Sequence, residues 1–215
     1  MLLIFDLDDT LIPTSMDITP KKLEQALKRM IQGGLPVNFE QTRELLLSMN
    51  KEAKRSSEVI REFTSVMNGT CMHAEIGLKV LEEGLGEIQI NEVVGLNNFL
   101  KILKERYKLV IVTGGNPQVQ EEKIDLYGID RTLFEEIVVE EWGQKERAYH
   151  RLKEKFGPFL VVGDRIANDL SCAKKLGGIT IHIRQGRGEF EPKDHPDVDF
   201  EITTIKELTE VLERV

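Results

Sequence analysis

Short runs of apolar and β-branched residues recur along most of this 215-residue chain. Each run is too short for a buried helix and too uniformly apolar for a strand with one face in water. Such runs are typical of strands in a parallel sheet that is covered by helices on both faces. They lie at residues 2–5, 109–112, 137–139, 159–162 and 179–183.

Helical patterns separate most of these runs. Leu96, Phe99, Leu100 and Leu103 share one helix face before the second run, and a helix ending at Leu176 is followed by two glycines. After a loop, residues 198–202 and 205–212 predict a last strand and helix. The alternation predicts an α/β fold with a doubly wound (Rossmann-like), mainly parallel sheet.

One stretch, from residue 14 to residue 91, breaks the alternation and predicts only helices. Thr19 is a candidate N-cap, with Pro20 at the first helical position. We therefore expect a small all-helical domain inserted after the first strand, with the α/β core formed by residues 1–13 and 92–215. The predicted helices span residues 20–31, 41–54, 58–67 and 74–83.

Composition excludes several classes of protein. A net charge of −8 argues against a nucleic-acid partner. No apolar run approaches the roughly 20 residues that span a bilayer, so no membrane partner is expected. Cys71 and Cys172 lie far apart without metal-ligand spacing, which predicts free thiols and a cytoplasmic location.

Carboxylates follow the first predicted strand. Asp6 and Asp8 project to the same side of an extended chain, where they repel each other unless one is protonated or a cation lies between them. An acidic turn that caps the next segment is the alternative. Asp164 and Asp169 follow the fourth strand and could share a divalent ion, unless Asp164 or Asn168 caps a helix.

Groups suited to binding an anion follow two other strands. Thr113 and Gly114 end the second strand, where backbone N–H groups can approach an anion, although a simple tight turn has the same pattern. Lys145 follows the third strand and taken alone would be a surface lysine. Because ligands bind at the carboxyl ends of strands in open α/β sheets, we expect all these groups to converge.

These segments resemble the four motifs of the haloacid dehalogenase-like (HAD) hydrolase superfamily. The resemblance places the inserted helices where that family has its type-1 cap. The corresponding residues are Asp6-Leu7-Asp8-Asp9-Thr10 for the first motif, Thr113 for the second, Lys145 for the third, and Gly163-Asp164 with Asp169 for the fourth.

The resemblance implies an Mg²⁺-dependent phosphatase acting on a phosphorylated small molecule. Asp6 would be the nucleophile that forms an aspartyl-phosphate, and Asp8 the general acid and base, with a pKa raised by burial beside other carboxylates. Thr113, Gly114 and Lys145 would bind the phosphate. The metal would be held by Asp6, the backbone carbonyl of Asp8, Asp164 and, directly or indirectly, Asp169.

Three alternatives share this fold. A dehalogenase is disfavoured because it needs neither Asp8 nor the acidic fourth motif. A phosphomutase uses the same core but protects its phosphoenzyme from water. A non-catalytic binding or regulatory module would be expected to lack at least one of the motif residues, and all are present.

Overall fold

The computed structural model of the protein describes residues 1–51, 53, 55–91 and 93–215, which form two compact units. Met1–Thr14 with Asn91–Val215 form one unit, here called the core unit, and Ser15–Ile90 form the other, the helical unit. These bounds differ by one residue at each junction from the domains expected from the sequence. Residue 92, where the second part of the core was expected to begin, lies outside the described residues.

The sheet of the core unit has six strands in the described residues, in the order β3-β2-β1-β4-β5-β6. Every neighbouring pair is parallel. The predicted α/β fold with a doubly wound sheet is therefore confirmed. The strands are β1 Leu2–Phe5, β2 Lys108–Gly114, β3 Glu136–Glu140, β4 Phe159–Gly163, β5 Ile179–Ile183 and β6 Phe200–Ile202.

Helices occupy most of the remaining chain. Shorter 3₁₀ turns lie at residues 131–133, 186–190 and 205–207, and a π-helical turn spans Ile166–Leu170. The α-helices of the described residues are α1 Thr14–Asp17, α2 Thr19–Gln32, α3 Phe39–Lys51, α4 Ser56–Val66, α5 Cys71–Glu82, α6 Leu96–Lys104, α7 Pro117–Leu126, α8 Lys145–Phe156, α9 Ser171–Lys175 and α10 Leu208–Leu212.

The sheet is buried around its central strand. All four residues of β1 are fully buried, and Leu2 and Ile4 belong to a cluster with Tyr149 and Leu152 of α8. Burying one such aliphatic side chain contributes roughly 1.5–3 kcal/mol. The uniformly apolar strand runs are therefore explained by cover on both faces of the sheet.

The helical unit has a hydrophobic core of its own, in which Leu27 and Met30 of α2 pack with Phe63 of α4. The ammonium of Lys22 is buried in this unit and donates to three backbone carbonyls at and just after the end of α5. The acceptors are Val80 at 2.7 Å, Glu83 at 2.8 Å and Gly84 at 2.9 Å.

Two helix boundaries differ from those predicted. Thr19 is the first residue of α2 rather than its N-cap, because Ile18 before it already has helical dihedral angles. Helix α3 ends at Lys51, and Lys54, its predicted end, lies outside the described residues. Searched over its described part, the chain contains no helix with the length and apolar character needed to cross a bilayer.

Candidate active site

The predicted site residues lie at one edge of the sheet. Asp6 directly follows β1, Thr113 lies near the end of β2, Lys145 begins α8 after β3, and Asp164 directly follows β4. These four strands are neighbours in the sheet and all run in the same direction. Their carboxyl ends therefore bring the four residues to one place, as open parallel sheets do for ligand-binding groups.

Lys145 joins two carboxylates at the centre of this site. Its Nζ lies 2.5 Å from Asp6 Oδ1 and 2.7 Å from Asp169 Oδ1. Side-chain exposure is 7% or less for all three residues, so little water screens these contacts. Lys145 is consequently a buried counter-ion rather than a surface lysine.

Asp6, Asp164 and Asp169 form a buried acidic group. One carboxylate oxygen from each lies within 4.8 Å of the others. Burial raises the pKa of Asp6 to about 7, with Asp169 and Asp8 adding to the rise and Lys145 opposing it. Burial also raises the pKa of Asp164 well above its usual range, helped by nearby carboxylates that include Asp169.

The donor chemistry of this group fits a hard divalent cation. Three buried carboxylates lie together, and the Lys145 ammonium contacts two of them, so the site favours further positive charge. Carboxylate oxygens are the ligands that Mg²⁺ prefers. Asp6, Asp164 and Asp169 could therefore hold such an ion.

Asp169 is held by the backbone that follows β4. Its second oxygen, Oδ2, accepts from the backbone N–H of Arg165 at 2.9 Å, and the residue lies in the π-helical turn. Gly163 makes room for it, because a Cβ there would lie 2.6 Å from the Cβ of Asp169. The alternative that Asp164 caps this turn does not hold, since Arg165 is at the cap position and gives no side-chain cap hydrogen bond.

His182 of β5 holds the backbone of Asp164 through a hydrogen bond. Its ring is fully buried, and Nε2 lies 2.9 Å from the backbone carbonyl of Asp164. A carbonyl only accepts, so Nε2 carries the hydrogen. Burial lowers the pKa of His182, which keeps the ring neutral.

Thr113 and Gly114 are the last two residues of β2. Thr113 is 1% exposed, and its hydroxyl oxygen accepts from Nε2 of Gln120 at 2.5 Å. Asn116 caps α7 by accepting from the N–H groups of Gln118, at 2.9 Å, and Val119, at 3.4 Å. The segment thus ends β2, leads into α7 and places a buried hydroxyl at the carboxyl end of the sheet.

Asp8 has surroundings that the sequence argument did not anticipate. Lys123 Nζ lies 2.8 and 2.9 Å from its two oxygens. Thr14 donates to Oδ1 at 2.5 Å, and Gln120 donates to Oδ2 at 3.0 Å. Burial raises the pKa of Asp8, but the charge of Lys123 and these hydrogen bonds outweigh it, and the net pKa is lowered.

The expectation that neighbouring carboxylates raise the pKa of Asp8 is therefore wrong. The physical reason is that a lysine, an amide and a hydroxyl surround this side chain. Among the described residues, the side-chain carboxylates that could together hold a metal ion are those of Asp6, Asp164 and Asp169. The metal contact predicted for Asp8 is through its backbone carbonyl and stays a prediction.

Gln120 and Lys123 are site residues that sequence reasoning missed. Both are buried on α7, beside Val119 and Ile124 on the same helix face. The sequence contained an indication of their role, because both long polar side chains lie on the helix face that the apolar residues of α7 bury. Their partner, Asp8, is more than 100 residues away in the chain, so no local pattern could pair them.

A doubly wound sheet that gathers carboxylates, an ammonium and a hydroxyl at its carboxyl edge defines an enzyme class acting on anionic substrates. Comparison with known families narrows this class. The family sequence model of the haloacid dehalogenase-like hydrolases matches residues 1–177 of this chain. The chain belongs to this family, and the sequence-based assignment to it is confirmed.

Individual relatives agree with this assignment. The chain is 28% identical over 227 residues to a glyceraldehyde 3-phosphate phosphatase of Pyrococcus furiosus, covering 99% of this chain and 92% of the relative. The prediction of a HAD-like phosphatase is confirmed by such relatives.

Two solved structures share the fold. A HAD phosphatase of Thermococcus onnurineus superposes with a TM-score of 0.63 at 22% identity, covering 98% of this chain and 97% of that one. The HAD-hydrolase YfnB of Bacillus subtilis, determined bound to magnesium, superposes with a TM-score of 0.64 at 18% identity and the same two coverages. At these identities the likeness concerns the fold alone.

Proposed function

We propose that this protein hydrolyses the phosphate monoester of a small metabolite, with Mg²⁺, through an aspartyl-phosphate on Asp6. One observation carries the proposal: the Lys145 ammonium bridges the buried carboxylates of Asp6 and Asp169, with Asp164 beside them. A buried group of like charges needs compensation, and a site that balances carboxylates with cations suits a phosphoryl group.

Asp6 is the nucleophile in this proposal. One carboxylate oxygen attacks phosphorus and forms the new P–O bond while the bond to the ester oxygen breaks. Lys145, held beside it by Asp169, reduces the repulsion between Asp6 and the incoming phosphate. Thr113 and the N–H of Gly114 bind a phosphoryl oxygen at the end of β2.

Mg²⁺ would be held by Asp6, Asp164 and the backbone carbonyl of Asp8, and when bound it would neutralise charge on the phosphoryl oxygens. Both oxygens of Asp169 already accept hydrogen bonds, from Lys145 and from the Arg165 N–H. We therefore assign Asp169 mainly to holding Lys145 in place, within reach of the ion.

Asp8 is the general acid and base. It gives a proton to the leaving alkoxide and later takes one from the water that attacks the aspartyl-phosphate, which releases phosphate and restores Asp6. The lowered pKa of Asp8 means that the substrate-free protein holds it ionised. The ionised carboxylate can accept a proton and thus act as the base. To act as the acid, Asp8 must first take up a proton in the substrate complex.

The substrate is proposed to be a phosphorylated metabolite of a few carbon atoms. Relatives that match over nearly the whole chain are glyceraldehyde 3-phosphate phosphatases, which makes that aldehyde phosphate the first compound to test. The helical unit is proposed to be the cap domain that sets specificity, because a shared fold does not by itself determine the substrate.

A phosphate-release assay with Mg²⁺ over a panel of phosphorylated metabolites tests the proposal. We expect release of inorganic phosphate, loss of activity when Mg²⁺ is chelated, and no turnover by Asp6→Asn. Formation of an isomeric phosphate without release would indicate a mutase instead. Full activity in Asp6→Asn would refute the assigned nucleophile.

A further inference from the structure

The Asp8 carboxylate is surrounded by side-chain donors. Lys123 contacts both oxygens, at 2.8 and 2.9 Å, Gln120 donates to Oδ2 at 3.0 Å, and Thr14 donates to Oδ1 at 2.5 Å. A carboxylate offers about four acceptor positions, and these contacts use them. The orientation of Asp8 is therefore fixed by its neighbours, chiefly by α7, before a substrate arrives.

Gln120 connects Asp8 to Thr113. Its Nε2 lies 3.0 Å from Asp8 Oδ2 and 2.5 Å from Thr113 Oγ1. The opposite amide orientation would place the amide oxygen against a carboxylate oxygen, and two acceptors repel each other. The nitrogen therefore faces Asp8, and its two hydrogens serve one partner each.

This orientation determines what Thr113 can do. Because the Thr113 oxygen accepts from Gln120, the hydrogen of its own hydroxyl must be donated to a different acceptor. Thr113 lies next to Gly114 at the end of β2, which is where the proposed function places a phosphoryl oxygen. A donated O–H is what that oxygen requires.

We propose that Gln120 and Lys123 are positioning residues of this enzyme, which fix the Asp8 carboxylate and turn the Thr113 hydroxyl hydrogen towards the phosphoryl group. The inference rests on the proposed function. Both residues are buried, at 2% and 8% exposure, so packing holds them in place. They act through Asp8 and Thr113 and do not themselves contact the reacting atoms.

The first test compares Lys123→Met with Lys123→Arg, using the full chain, Mg²⁺ and a three-carbon alkyl phosphate that the wild type hydrolyses. Lys123→Met is expected to lower kcat about 10- to 100-fold with KM changed less than about threefold, since it impairs general acid-base catalysis. Lys123→Arg, which keeps charge and donors, is expected to recover part of kcat.

A burst experiment separates positioning from folding. With 4-nitrophenyl phosphate the leaving group needs no proton, whereas hydrolysis of the aspartyl-phosphate still needs Asp8. Lys123→Met is therefore expected to release one rapid equivalent of 4-nitrophenolate per folded site and then turn over slowly. Because the burst counts intact sites, a partly unfolded preparation does not obscure the result.

The second test is a double-mutant cycle between Gln120 and Thr113. Gln120→Leu and Thr113→Val are each expected to lower kcat about tenfold or more. In the Thr113→Val background, Gln120→Leu should cost clearly less than it costs in the wild type, because only the part of its effect that passes through Asp8 remains. Gln118→Leu is the matched control, since Gln118 is exposed on the same helix and pairs with Glu122.

Several outcomes would overturn the inference. A raised KM with unchanged kcat would make Gln120 and Lys123 substrate-binding groups, and additive effects of Gln120→Leu and Thr113→Val would remove the link between them. Wild-type levels of activity in both Lys123→Met and Gln120→Leu, with Asp6→Asn inactive, would refute this inference alone. An inactive wild type would instead refute the proposed function.

Discussion

The single ammonium group of Lys145 forms ion pairs with two buried carboxylates, those of Asp6 and Asp169. Charges taken out of water are tolerated only when each has a partner at short distance, and Lys145 lies within 2.7 Å of both Asp6 and Asp169. Removal of this cation takes away the ammonium that pairs with both buried carboxylates. The same geometry that suits phosphate binding therefore makes the folded core depend on one side chain.

Lys145→Met is expected to destabilise the metal-free protein by about 3 kcal/mol, because it leaves two buried carboxylates without their counter-ion. Urea unfolding at neutral pH measures this change. Lys175→Met, at an exposed position on α9, is the control and should change the unfolding free energy by less than about 0.5 kcal/mol. Equal stability of the two variants would contradict the role given to Lys145.

Asp6 gives the metal-free protein a characteristic pH dependence. Its pKa is raised from 3.8 to about 7 on folding, so between these values the folded state binds more protons than the unfolded state. The unfolding free energy of the wild type therefore decreases as the pH rises towards 7, because the buried Asp6 carboxyl loses its proton. The unfolding free energy of Asp6→Asn, relative to that of the wild type, should therefore increase by about 2 kcal/mol as the pH rises from 5 to 7. Urea unfolding in the presence of a chelator measures this change.

Asp164 is expected to control metal affinity. Saturating Mg²⁺ should raise the unfolding free energy of wild type by about 2.7 kcal/mol at 100 times Kd, and Asp164→Asn should lose most of this gain. Thermal unfolding with and without Mg²⁺ measures it. Asp199→Asn, at a carboxylate paired with Lys174, is the control that should keep the full Mg²⁺ response.

Part of this site was predictable from residues alone. Asp6, Thr113, Lys145 and Asp164 follow successive strands, and parallel strands must bring their ends together. The surroundings of Asp8 were not predictable, because its partners Lys123 and Gln120 come from a helix face rather than a strand end. Which distant side chain reaches a given carboxylate depends on helix rotation against the sheet, and the sequence pattern does not determine that rotation.

At the scale of elements, the strands were predicted better than the helix ends. The bounds of β1 and β5 agree with the predicted runs. β1 is buried and apolar throughout, whereas β5 also contains the buried polar residues Thr180 and His182. β6 begins at Phe200, two residues later than the strand predicted over residues 198–202. Helix starts depend on the dihedral angles of the residue before them, and for α2 the preceding Ile18 is already helical.

Lys22 is expected to stabilise the helical unit by completing hydrogen bonds at the end of α5. Lys22→Met would leave the carbonyls of Val80, Glu83 and Gly84 without this donor, which costs about 2–3 kcal/mol. Urea unfolding followed by circular dichroism measures the loss. Lys79→Met, at an exposed position on α5, is the control. An equal loss of unfolding free energy in Lys79→Met would contradict the stabilising role given to the hydrogen bonds of Lys22.

At the scale of the whole molecule, the chain consists of two units with separate hydrophobic cores. We predict that residues 15–90 alone form a cooperatively unfolding helical domain with a stability of only a few kcal/mol, as is usual for a domain of this size. Circular dichroism with thermal unfolding tests this. A spectrum without helix, or a gradual loss of signal, would contradict it.

The central place of β1 has a consequence for the order of events during synthesis. Leu2 pairs with Lys108 on one side and with Phe159 on the other. β1 is therefore synthesised before both of the strands with which it pairs. Meanwhile α2 to α5 need only contacts among themselves, which form fast. The inserted helices can thus assemble first and shorten the free loop that strand pairing must close.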